Sequence, residues 1–501
     1  METHAKHPLF TWQTFVFLGF VILLSYLTYF HRYWSPPNVF WDENYHIASA
    51  QKYLHGVFFM EQHPPLGKML VAAGEKLLHP NARTDQFLGT DYGTDFPKGF
   101  SFAGYRFFSA FLGWWTAALL FLAFLYITRS SLHAALLSFL YIFDNALIVH
   151  LRGAMLEGPL LFFCVLMILV FFLLREYRER RAAFIVLSIL LGVCMALILT
   201  TKLLGMIMVL LLPAAALYLW PRWRKMLAFG ALAAAGFLPV YIGIWQIHFS
   251  VGSVINPKLP DAGYYQASPT AKAYLKTGFQ RSLIAFPVMI RDSWKFVKHY
   301  NNGAPRLDLC KADENGSPFY LWPIGARSIS YRWETPEGKN YKYLYLQSNP
   351  VVWFAGLTAV IIGLSILLAS LFQPPRQPFP LLFPLLVFLG MYVSFFIAVS
   401  RIQRVLYLYH YFIPLLLTFV ILAILVAGLR RFWTWNLTEN GKGLILLALS
   451  AFIFVSYQFY YPLTRYEPLT DKQFKRRAIL SVWELTCVKC QKENGVAVPR
   501  K

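Results

Sequence analysis

Two adjacent carboxylates, Asp42-Glu43, follow the first apolar stretch of the chain, and His63-Pro64-Pro65-Leu66-Gly67-Lys68 begins twenty residues after Glu43. A carboxylate held against a hydroxyl can take its proton as the oxygen attacks an electrophile, so either acid is a candidate general base. Near the ends of other apolar stretches stand Arg106, His150, Arg152, Glu157, Lys202, Arg401, Arg404 and His410. Ionisable groups at membrane depth are costly and mark functional candidates. A fixed guanidinium or ammonium binds phosphate, which nominates Arg106, Lys202, Arg401 and Arg404 for a phosphate-linked substrate.

Each group also has a structural reading. Asp42 and Glu43 can cap a following helix, where negative charge is favoured. His63 can serve a turn, Lys202, Arg401 and Arg404 can snorkel to the interface, and Glu157 can pair with Arg152.

The elements that must position these groups are membrane helices. Of 501 residues, 57% are hydrophobic and only 14% charged, against about 25% charged in soluble domains. Continuous apolar runs exclude an alternating β-barrel and predict an all-α polytopic protein with about eleven spans. These are 10–31, 104–127, 132–149, 154–174, 183–200, 203–220, 226–247, 351–372, 379–399, 405–428 and 442–461. The first is too long for a signal peptide and lacks a small-residue cleavage site, so it reads as a retained helix.

The net charge of +22 comes from Lys and Arg between spans. It indicates topology and anionic lipid rather than nucleic acid. Basic clusters at Arg175–Arg181, Arg222–Lys225, Arg376 and Arg430-Arg431 all follow even-numbered spans. The N-terminus is then cytoplasmic and the C-terminus external. Long loops at 32–103 and 248–350 and a tail at 462–501 fall outside, around one membrane domain at 1–461. The sequon Asn436-Leu437-Thr438 falls inside and reads as a chance match.

In the first loop, Pro64-Pro65 can open a helix. Leu66, Met69, Leu70, Ala73 and Leu77 then form its apolar face, with Lys68, Glu75 and Lys76 on another, which predicts a helix lying on the membrane surface. Residues 44–55 form a second helix. Cys164 and Cys194 lie within spans and read as inert, and Cys310 is alone in a loop. Cys487 and Cys490 form a lone CxxC, a weak zinc signal that reads as structural, with a disulfide open to it in an oxidising compartment. No metal-ligand constellation of convincing spacing is present.

Taken in order, several segments resemble the protein O-mannosyltransferases, glycosyltransferases of the GT-C class. They are Asp42-Glu43, His63-Pro64-Pro65 with Lys68, Gly104-Tyr105-Arg106, Asp144-Asn145-Ala146, and Arg152-Gly153-Ala154-Met155-Leu156-Glu157. Thr201-Lys202-Leu203-Leu204-Gly205, Asn349-Pro350-Val351-Val352-Trp353 and Tyr409-His410-Tyr411 with Pro414 complete the set.

The resemblance implies a GT-C fold with an external cap of interfacial helices and loops. It also implies inverting transfer of mannose, or a similar sugar, from a polyprenyl-phosphate carrier to Ser or Thr of exported proteins. Asp42 would be the general base and Glu43 its support or an acceptor contact. Arg106 would bind the donor phosphate, joined by Lys202, Arg401 and Arg404. His63, Lys68, Arg152, Glu157, His410 and Tyr411 are further site candidates. No tightly bound cofactor is implied, metal dependence stays open, and the partners are the lipid-linked donor, the protein acceptor, membrane lipids and an optional second copy.

The second long loop leaves no room for the β-trefoil domain of eukaryotic members. That favours a bacterial plasma-membrane enzyme with an external site. Glu157 stands where the family often has Asp, and the CxxC tail is outside the family pattern. Rival readings are a lipid-glycosylating GT-C enzyme of the aminoarabinose-transferase kind, a lipid transporter or flippase, and a non-catalytic relative.

Overall fold

The computed structural model describes residues 9–255, 264–311, 314–335, 340–372, 378–432, 435–488, 490–493 and 496–499; Arg376 lies outside them. Its helices are α1 (Trp12–Ser25, continued by a π turn to Phe30), α2 (Glu43–Leu54), α3 (Leu66–Leu78), α4 (Ala103–Thr128), α5 (Ser131–Ile142) and α6 (Asn145–Leu151). Then come α7 (Glu157–Tyr177), α8 (Arg181–Thr201), α9 (Leu211–Leu217), α10 (Trp223–Val251), α11 (Pro269–Thr277) and α12 (Phe286–Gly303). The chain closes with α13 (Pro350–Phe372), α14 (Leu382–Ser400), α15 (Phe412–Gly428), α16 (Glu439–Arg465) and α17 (Asp471–Lys475).

Nine helices among the described residues are long and apolar enough to cross a membrane. The chain is an integral membrane protein. The other two expected spans take different forms.

The apolar stretch 132–149 is α5 and α6, bent by 65° at Phe143-Asp144. The bend has a built joint. The buried Asp144 carboxylate accepts from Leu147 N at 2.9 Å and from Trp353 Nε1 at 2.8 Å. Asn349 Nδ2 donates to the carbonyls of Phe143 at 2.9 Å and Ile453 at 3.1 Å, and Asn145 Nδ2 donates to Thr464 Oγ1 at 2.7 Å. These contacts satisfy backbone groups that the break would orphan in an apolar interior. They explain two of the resembling segments, around Asp144 and Asn349, as architecture.

The stretch 203–220 is a 3-10 segment, Leu203–Leu210, running into α9. The longer 3-10 rise stretches these fifteen residues to about 26 Å, close to a bilayer core.

Small residues let the helices touch backbone to backbone. A Cβ on Gly74 would stand 2.3 Å from the Gly104 carbonyl oxygen, so α3 lies directly on the start of α4. The expected apolar edge of α3 faces outward, and two of its charged residues turn inward. Lys68 and Glu75 are buried against the protein, whereas Ala73 and Leu77 are exposed, Leu77 by 64%. Each buried charge has a partner: Lys68 pairs with Glu61 and donates to Ser49 Oγ at 3.1 Å, and Glu75 accepts from Asn81 at 2.8 Å. The apolar edge is thereby left for the lipid, as an interfacial helix requires.

The two long loops meet at one end of the bundle. Phe58 N donates to the Val254 carbonyl at 2.7 Å, and Arg332 Nη1 donates to the Val39 carbonyl at 3.3 Å. The second loop forms β1 (Ile329–Glu334), antiparallel to β2 (Tyr341–Leu346) with Ile329 opposite Leu346. At the other end β3 (Arg431–Phe432) and β4 (Trp435–Asn436) make a short hairpin, after which Thr438 Oγ1 caps α16 by accepting from Gly441 N at 3.1 Å.

The tail packs back onto the second loop. Here β5 (Pro468–Leu469) pairs with β2, and Phe474, Trp483, Leu485 and Cys487 form a small core with Tyr343 and Tyr345. Cys487 is disulfide-bonded, in keeping with the structural reading of the CxxC.

Candidate active site

Asp42 stands where the first loop turns into α2. It occupies the N-cap position but makes no side-chain capping bond, so its carboxylate is not spent on the helix. Its partner is Tyr409, whose hydroxyl donates to Oδ2 at 3.3 Å. The preceding residue, Trp41, has φ 50°, a conformation that costs a bulky residue on the order of 1–3 kcal/mol. Stacking holds it there: its indole lies on Tyr331 at 5.1 Å and edge-on to Tyr407 at 5.4 Å.

Asp42 is half-buried, and removal from water pushes its carboxyl above the usual carboxylate range; the charge of Lys202 pulls the other way. A carboxylate raised by burial is a stronger base than one in water.

Around Asp42 runs a connected polar network from three further segments. Lys202 ends α8 in an extended conformation and pairs with Glu157, the first residue of α7. Glu157 Oε2 bonds His150 Nε2 at 2.8 Å, and His150 Nδ1 bonds the Tyr331 hydroxyl. The Tyr409 ring stacks on His150 at 4.7 Å and lies 5.2 Å from the Lys202 ammonium. Glu157 therefore pairs with Lys202 and His150 rather than with Arg152.

His63 lies among Lys202, Lys68 and His46, and burial, reinforced by Lys202, pushes its imidazole well below its ordinary value. It is held neutral, able to accept or donate one hydrogen bond. His410 bonds the Tyr407 backbone through Nδ1, at 3.0 Å to the carbonyl, and stacks on Tyr409 at 4.7 Å. Arg404 is half-buried, donates to Asn301 Oδ1 at 2.7 Å, and has a buried Nε without a partner.

Other sequence candidates lie elsewhere. Arg106 is fully buried with all five N–H groups engaged. Nε and Nη2 clasp both oxygens of Glu43 at 2.6 and 2.8 Å, Nη2 also reaches Asn38 O at 2.7 Å, and Nη1 reaches Trp34 O at 2.8 Å and Pro36 O at 2.7 Å. No donor is left for a phosphate.

Glu43 is likewise sealed, with no exposed surface; it also accepts from Phe40 N at 3.1 Å and Ala154 N at 2.8 Å. It cannot touch an acceptor. Together the pair pins the segment 34–43 that presents Asp42.

Lys68 is committed to Glu61. Tyr411 is a core residue, its hydroxyl on Tyr392 at 3.1 Å and its ring on Trp353 at 5.0 Å. Arg401 is exposed at the end of α14. Arg152 lines a separate pocket. Among the described residues no group of three or more His, Cys, Asp or Glu side chains could hold a metal ion.

Tyr409, Tyr331 and Glu61 were not among the residues selected from sequence, whereas His150 was among the ionisable groups noted there and joins the network through Glu157 and Tyr331. Tyr331 sits on a loop strand with no local signal. Tyr409 stood in a resembling segment, beside the chosen His410, and its spacing from Asp42 hid the contact.

The bundle, with its bent span, brings its long loops together at a carboxylate, Asp42, and a lysine, Lys202. The C-terminal four-transmembrane region of protein O-mannosyltransferases matches residues 291–483, and the dolichyl-phosphate-mannose-protein mannosyltransferase model matches 19–254. Together they take in most of the sequence, and the chain belongs to the protein O-mannosyltransferase family.

Among curated relatives, protein O-mannosyl-transferase 2 of Danio rerio is 29% identical over 278 residues, covering 50% of this chain and 34% of that protein. Dolichyl-phosphate-mannose–protein mannosyltransferase 1 of Candida albicans is 26% identical, covering 50% of this chain and 29% of its own. The chain thus spans about a third of these relatives.

The fold is shared with a chain of the Saccharomyces cerevisiae protein O-mannosyltransferase complex bound to the sugar donor. The TM-score is 0.77 at 15% identity, covering 94% of this chain and 93% of that one. An archaeal oligosaccharyltransferase from Archaeoglobus fulgidus, in complex with an inhibitory peptide and a dolichol-phosphate, aligns at TM-score 0.52 and 11% identity. It covers 93% of this chain and 57% of its own.

Proposed function

We propose that this protein is an inverting mannosyltransferase that uses a polyprenyl-phosphate sugar donor and modifies Ser or Thr hydroxyls of exported proteins. The observation that carries this reading is the Asp42 carboxylate: presented on a strained, well-braced turn, unspent by capping and lying beside Lys202.

In the proposed step the acceptor oxygen attacks the anomeric carbon from the face opposite the carrier phosphate. Asp42 takes the hydroxyl proton as the new C–O bond forms. The bond from the anomeric carbon to phosphate breaks, and its electrons leave with the polyprenyl phosphate. One displacement inverts the anomeric centre. Lys202 and Arg404 supply positive charge where the leaving phosphate gains negative charge.

Glu43 and Arg106 act through the backbone, by positioning Asp42. Glu157 and His150 hold Lys202 and Tyr409. The site faces the exterior of a bacterial plasma membrane, the side assigned by the basic cytoplasmic loops.

The test supplies membranes with a radiolabelled polyprenyl-phosphate mannose and a Ser/Thr-rich peptide. Label should enter the peptide. Label entering glycolipid instead, and never peptide, would replace this reading with the lipid-modifying one.

A further inference from the structure

A cavity of about 400 Å³ lies between the end of α1 and the C-terminal half of α16, and neither Asp42 nor Lys202 lines it. Its walls are of two kinds. Leu24, Leu27, Phe143 and Phe454 are apolar, and Leu27 and Phe454 are also exposed on the bundle surface, where acyl chains lie. The rest of the lining includes Arg32, Arg152 and Arg465, with one carboxylate, Glu467.

Arg152 is almost wholly buried. It uses Nη2 on the carbonyls of His31 and Arg32, while its Nε is buried without a partner. Arg465 uses Nη2 on the carbonyls of Leu27 at 2.6 Å and Thr28 at 2.9 Å, and its Nε is likewise unpartnered. Neither forms an ion pair among the described residues. Arg152 instead feels the like charges of Arg465 and Arg106.

A buried cation such as Arg152, with half-buried Arg465 and exposed Arg32 on the same wall, is unfavourable unless an anion joins it. The anion that fits also has an apolar tail, because half the wall is hydrocarbon. We propose that this pocket binds the phosphate headgroup of a membrane lipid, with its chains running out between α1 and α16. The pocket shares a segment with the active site: Arg152 holds residues 31 and 32, and Arg106 holds the carbonyls of 34, 36 and 38.

The test is native mass spectrometry of the full chain in detergent, with phosphatidylglycerol, phosphatidylcholine or inorganic phosphate added. Phosphatidylglycerol should be retained in preference to phosphatidylcholine. Arg465→Gln should weaken retention on the order of tenfold, the loss expected for one charge-assisted hydrogen bond. Arg32→Gln, which keeps the backbone and changes only an exposed side chain, should weaken it in the same direction. Retention unchanged in Arg32→Gln and in folded Arg465→Gln would overturn the proposal. So would displacement of the lipid by millimolar inorganic phosphate, which would make this a site for the free ion.

Discussion

At the residue scale the account turns on how Asp42 stays reactive beside a cation. Burial raises its carboxyl, while Lys202 and the Tyr409 hydroxyl both favour the charged form. A base must be deprotonated to work, so transfer should fall as pH drops through this raised value. The acid limb of the rate profile therefore sits above the ordinary carboxylate range. Tyr409→Phe removes a hydrogen bond that favours the carboxylate, so it should move the acid limb to still higher pH while keeping the ring on His150. A profile of kcat/KM against pH checks this; an unmoved limb would detach Tyr409 from the base.

Arg106 poses the opposite case, since its charge is wholly internal. Arg106→Gln leaves Glu43 buried without its counter-ion, a change worth about 3–5 kcal/mol of stability. The expected result is a large drop in thermal midpoint and in folded yield. A variant of normal stability with only a raised donor KM would restore Arg106 as a phosphate ligand.

At the scale of elements, α3 and α4 show how position is enforced by small residues. Gly74→Ala places a Cβ against the Gly104 carbonyl, and such overpacking costs about 1–3 kcal/mol. The thermal midpoint should fall, and a proteolysis assay should show loop 32–103 opening first; an unchanged midpoint would mean that the two helices part freely.

The helices themselves were legible, because long apolar runs have one solution in a bilayer. Nine of the eleven expected spans are long helices. The bend at Asp144 was not legible, because the groups that satisfy it, Asn349 and Trp353, are two hundred residues away. The outward apolar edge of α3 was legible from its spacing, but the groups that let Lys68 and Glu75 turn inward, Glu61 and Asn81, were not. At the site, Asp42, His63, Glu157, Lys202 and His410 were legible from type and placement. The burial of Arg106 and Tyr411 was not, since full hydrogen-bond saturation is a tertiary property.

For the whole molecule, the convergence of both long loops and the tail at one end of the bundle gives a single cap over Asp42. If that end is external, single cysteines placed at exposed Arg83 and Lys276 should react with an impermeant maleimide in intact cells, and one at exposed Arg224 should not. Labelling of Arg224→Cys with protection of the other two would reverse the orientation and place the chemistry in the cytoplasm.

The central claim is that Asp42 receives the acceptor's proton, and the direct measurement is single-turnover transfer by Asp42→Asn. The substitution keeps the shape of the side chain and removes the base. Transfer to peptide should fall on the order of 10²–10⁴-fold, with donor binding and thermal midpoint close to those of the parent protein. An Asp42→Asn protein that transfers mannose at the parent rate would contradict the account.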